Sequence, residues 1–105
     1  MVEMTTEELI SYYQRHLRGL EDDDTYETEA YLVLVARDDI ADRWGELTSQ
    51  QRERVHKLDN ALVKKHERVA AVLPSRMASD PSRWWWHLHE GPQVRRRALA
   101  AAKQE

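Results

Sequence analysis

TSQQRERVHKLDNALVKKHERVAAVLP, residues 48–74, decides the fold. Thr48 followed three residues later by Gln51 has the spacing of a capping box, and Leu47 precedes it as an apolar staple. Val55, Leu58, Leu62, Val69 and Val72 or Leu73 then recur at three- and four-residue steps until Pro74. The pattern predicts one helix over about 49–73, extending about 37 Å at 1.5 Å per residue. Such a rod overhangs any shorter helix packed against it.

The neighbours upstream read the same way. Glu27 follows Asp24 at cap-and-partner spacing, and Gly45 is a natural terminus, so a second helix is expected over about 25–44. Its centre, Tyr31-Leu32-Val33-Leu34-Val35, could pass for a buried strand, but no second strand-like segment exists to pair with it. Helix is therefore the reading, apolar nearly all round and covered on two sides. Thr5 with Glu8 marks the start of a first helix running to about Arg18, with Leu9 or Ile10, Tyr13 and Leu17 as its apolar stripe and Gly19 as its stop. Downstream, Asp80 and Pro81 open a short tryptophan-rich helix over about 81–89. Gly91-Pro92 ends it, and a C-terminal helix over about 93–103 follows, expected to fray at 100–105.

All three glycines and all three prolines fall between these elements. The expectation is an all-α small helical bundle forming one domain over 1–105, built on a long antiparallel hairpin of the 25–44 and 49–73 helices. A helix-turn-helix reading of that hairpin is disfavoured, since Asp38, Asp39, Asp42 and Glu46 would face phosphates.

Composition narrows the function classes. Cysteine is absent, so disulfides, thiolate metal sites and cysteine nucleophiles are excluded together; a reducing, cytoplasmic setting is expected. The start carries Glu3, Glu7 and Glu8 in place of a basic and apolar leader, so no secretory signal is expected. The longest apolar run, Ala30 to Ala36, is far below the ~18 residues that a membrane helix requires. Net charge is −3, but residues 1–47 hold 13 acids against 4 bases and residues 48–105 hold 6 acids against 12 bases. Acidic helices lying beside basic ones is the simplest consequence.

Three consecutive tryptophans are the least ordinary feature. On an α-helix Trp84 and Trp86 point about 200° apart, so one core cannot take both rings. Trp84, Trp85, Trp86, Leu88, Arg95, Arg96 and Arg97 are accordingly the candidate interaction residues, aromatic anchors beside basic charge. The expected partner is another protein or a second copy of the chain. The alternative is a nucleic-acid-associated regulator, with the arginines on phosphates and the tryptophans on bases.

Metal and catalytic readings are weaker. Glu53 and His56 have the Glu-x-x-His spacing of di-metal bundles, but one copy is insufficient and surface charge pairing is preferred. His66 falls near the apolar stripe, where a packed histidine with one hydrogen bond is expected. His87 and His89 diverge on a helix and would converge on a ligand only in an extended segment. Asp22 and Asp24 lack the glycine and terminal glutamate of a calcium loop. No catalytic residue, cofactor or metal site is assigned, and a non-enzymatic module is expected.

Overall fold

A computed structural model describes residues 4–20, 27–72 and 83–103. It is an all-α bundle with no strand among the described residues. The expected Asp24 cap and the residues around Asp80 and Pro81 lie outside the described residues.

Helix α1 spans Thr6–Gly19. The Thr5 hydroxyl accepts from Glu8 N at 3.1 Å, and the Glu8 carboxylate accepts from Thr5 N at 3.1 Å, closing the box expected from the sequence. Leu9, Ile10, Tyr13 and Leu17 are its buried face. Helix α2 spans Glu27–Asp42 and packs on α1, while also touching the helix over 66–72 and the tryptophan segment. It buries Ala30, Val33, Leu34, Ala36 and Ile40 but leaves Tyr31 exposed, so it is covered on two sides rather than all round.

A 3-10 turn, Trp44–Glu46, follows, and Leu47 N donates back to Trp44 O at 3.2 Å. Gly45 sits inside that turn instead of stopping α2, and its φ is negative. The second capping box is present: Gln51 N donates to Thr48 Oγ1 at 3.1 Å and Thr48 N to Gln51 Oε1 at 2.9 Å.

The single helix expected over 49–73 is two helices. Helix α3 spans Ser49–Lys64 and α4 spans His66–Val72, with Lys65 at φ −103°, ψ 16° between them. Side chains at the corner redirect the chain. The Lys65 ammonium donates to Leu17 O of α1 at 3.0 Å, and the His66 ring Nδ1 lies 2.8 Å from Val63 O, a carbonyl of the last α3 turn. The corner turns Val69 into the core at 2% exposure, and the overhanging rod does not exist.

The tryptophan segment, Trp84–Glu90, is a 3-10 helix with a kink at His87 (φ −113°, ψ 21°), not the α-helix expected over 81–89. Gly91 follows at φ +114°, the left-handed side that favours glycine, and α5 spans Val94–Lys103. The segment packs between α4 and α5. No helix among the described residues is long and apolar enough to cross a membrane.

Candidate functional site

The tryptophan segment reaches α2 through one oxygen. Trp85 Nε1 and Trp86 Nε1 donate to Asp38 Oδ1 at 2.8 and 2.9 Å, and Arg83 Nη1 lies 2.9 Å from the same atom. Arg83 Nη2 donates to Asp42 Oδ1 at 2.6 Å, and this carboxylate pair pushes the guanidinium pKa further up. The two indoles reach this one acceptor from successive positions, through their long side chains, and the third ring turns away. Trp84 is that third ring, packed edge-on against Trp85 at 5.5 Å between centroids.

The candidate interaction residues are thereby sorted. Trp84, Trp85 and Leu88 are buried, at 3%, 4% and 1% exposure, and belong to the core. Trp86 is half-buried, its ring edge toward Tyr31. The three arginines diverge. Arg95 turns onto α3, donating to Asn60 Oδ1 and, at 3.3 Å, reaching His56 Nδ1; Arg97 donates to Glu90 Oε1 at 2.9 Å; Arg96 is exposed.

Beneath Trp85 lies an ion pair absent from the candidate set. Arg37 Nε and Nη2 donate to Asp59 Oδ1 and Oδ2 at 2.9 and 3.2 Å, and the Tyr13 hydroxyl donates to Asp59 Oδ1 at 2.8 Å. Burial, then the Asp59 charge, pushes the Tyr13 pKa well up. The Arg37 guanidinium carbon stands 4.4 Å from the Trp85 centroid and 5.5 Å from that of Trp44, which disperses its charge over two aromatic faces. Its Nη1 is buried with no hydrogen-bond partner. The sequence signal was present: Asp59 occupies the step between Val55 and Leu62 on the apolar stripe, and Arg37 interrupts the buried run of α2.

One opening reaches this pair and a second adjoins the first. A cleft of about 350 Å³ is walled by Trp44, His56, Trp84, Trp85 and Arg95, with Arg37 among its lining. A groove of about 450 Å³ between α3 and α5 adjoins it, lined by Val63, Lys64, Arg95, Arg96 and Leu99; Arg95 and Leu99 belong to both. Elsewhere, a notch of about 290 Å³ between α1 and α2 has the opposite sign, with Met4 and Leu9 beside Asp39 and Asp42 and with Arg43 at its edge. Partial burial, then Asp42 and Asp38, raises the Asp39 pKa.

The histidines divide similarly. His66 makes the one hydrogen bond expected of it. His56 rests edge-on against Trp44 and meets Arg95. His87 and His89, expected to diverge, lie 6.1 Å apart between ring centroids because of the kink.

No family model, curated protein or solved structure matches the chain. The geometry alone therefore carries the functional reading.

Proposed function

We propose that this chain is a non-enzymatic, self-associating interaction module that works in the cytoplasm. The carrying observation is a pair of grooves of opposite charge on one chain, each with an apolar floor. The α3/α5 groove presents Lys64, Arg95 and Arg96 around Leu99, and the α1/α2 notch presents Asp39 and Asp42 beside Met4, with Arg43 in its lining and Asp42 also paired with Arg83. Leu99 and Met4 are each 42% exposed, among the few large apolar side chains left to solvent.

A second copy supplies each groove with what it lacks. Its carboxylates face the guanidinium groups, and its exposed apolar residue covers the facing floor, so charge sets the approach and apolar area the hold. The cysteine-free composition suits the reducing compartment assigned.

Light scattering across a dilution series, at low and at high salt, tests the proposal. Mass should rise with concentration at low salt and return to the monomer at high salt, and Arg96→Glu should abolish the rise. A monomer at every concentration removes it. The nucleic-acid alternative rests on the same basic groove, although the buried Trp84 and Trp85 leave, of the three consecutive rings, Trp86 alone open to a base. Unchanged tryptophan fluorescence with single-stranded DNA or RNA at low salt would dispose of that alternative.

A further inference from the structure

The kink at His87 brings His89 beside His87 and Glu90, an i,i+3 pair that a regular α-helix also places on one face while turning His89 away. His87 Nδ1 lies 2.8 Å from Glu90 Oε2, His89 Nε2 lies 4.0 Å from the same oxygen, and the ligand atoms of all three fall within 4.8 Å of one another. The two imidazole centroids stand 6.1 Å apart.

A residue of another element completes the arrangement. Arg97 of α5 donates to Glu90 Oε1 at 2.9 Å, which fixes the carboxylate with its other oxygen toward the imidazoles. Ligating carboxylates are commonly held this way, by an outer hydrogen bond that sets their orientation.

We infer that His87, His89 and Glu90 form a binding site for a divalent first-row transition ion, zinc foremost, with Arg97 positioning the carboxylate. The ligand atoms are His87 Nδ1, His89 Nε2 and Glu90 Oε2. Two imidazoles and a carboxylate are a recognised three-protein-ligand zinc set, with the fourth tetrahedral position left to water. Bonds of about 2.0–2.2 Å place tetrahedral donors about 3.3 Å apart. The separations of 2.8 and 4.0 Å to Glu90 straddle that value, the three ligand atoms lie within 4.8 Å of one another, and His89 and Glu90 are exposed and free to rotate toward it. Imidazole nitrogens favour zinc, nickel or copper over calcium and magnesium, which take oxygen ligands. The site is independent of the association reading, since none of its three ligands lines either groove.

The test uses the full chain, free of any histidine tag and stripped with a chelator, titrated with zinc chloride in a calorimeter and by NMR of the imidazole carbons. One ion per chain should bind, with shifts confined to His87 and His89. His89→Ala and Glu90→Gln should each weaken binding at least about tenfold, the loss seen even for outer hydrogen-bond partners. Both are surface changes, and circular dichroism verifies that each variant folds. His16→Ala and His56→Ala should leave the affinity unchanged. Absence of binding overturns the assignment, as do equal shifts at all five histidines or an equal loss in the His16 or His56 variants.

Discussion

Arg37 on α2 grips Asp59 on α3 through two parallel hydrogen bonds, with side-chain exposures of only 8% and 1%. Removing one partner strands the other. Asp59→Ala should cost about 3–5 kcal/mol in urea unfolding, because a buried cation and the Tyr13 hydroxyl lose their acceptor together. The triple change Arg37→Met, Asp59→Leu and Tyr13→Phe should recover most of that loss, since apolar side chains of similar volume carry no desolvation cost.

Tyr13 gives the chain an alkaline limit. Its folded pKa is raised by burial and by the Asp59 charge, whereas the unfolded chain ionises near the ordinary value of 10. Above that pH the unfolded state binds fewer protons than the folded one, so stability falls as pH rises. Tyr13→Phe should flatten this part of the stability curve while costing about 1–3 kcal/mol at neutral pH through the lost hydrogen bond to a charged group.

Asp38 fastens the tryptophan segment. Asp38→Ala leaves the donors of Trp85, Trp86 and Arg83 without their common acceptor. A loss of about 2 kcal/mol is expected. Native tryptophan emission should shift to the red as Trp86 opens to solvent, and an unshifted spectrum would show that packing alone holds the segment.

Asp39 should respond in opposite directions in two assays. Its raised folded pKa makes it favourable only when protonated: that contribution is present below the ordinary value of 3.8 and lost as pH rises through the folded pKa. Asp39→Asn should therefore stabilise the monomer at neutral pH, within the roughly 0.5 kcal/mol usual for exposed sites. By light scattering the same variant should associate less.

The glycines separate cleanly. Gly91 sits at φ +114°, and a Cβ there would approach Gln93 Oε1 to 2.4 Å, so Gly91→Ala should cost about 1–3 kcal/mol. At Gly45 nothing lies within 4 Å of an added Cβ and φ is negative, so Gly45→Ala should be neutral or stabilising by up to about 1 kcal/mol. Urea unfolding of the two variants decides both.

Features set by a few neighbouring residues were legible in the sequence. The Thr5-Glu8 and Thr48-Gln51 boxes, the stripe on α1 and the start of α5 follow from local hydrogen bonding and apolar spacing. The corner at Lys65 was not, because it depends on Leu17 O, a partner 48 residues away in sequence. The tryptophan segment was legible in part: Trp84 and Trp86 do part as an α-helix would have them, but the kink that brings His87 and His89 together has no signal in the local spacing. Arg37 and Asp59 were written in the pattern as charges at apolar positions, a signal that points to pairing across helices only once both are placed in one interior.

The corner at Lys65 also determines how the chain tolerates altered length. In an unbroken rod, one inserted residue would rotate every downstream side chain by about 100° and carry Val69 out of the interior. With the helical phase reset between α3 and α4, a change of register upstream ends at the joint. The joint itself is the less tolerant place, because an insertion there would part Lys65 from Leu17 O and His66 from Val63 O.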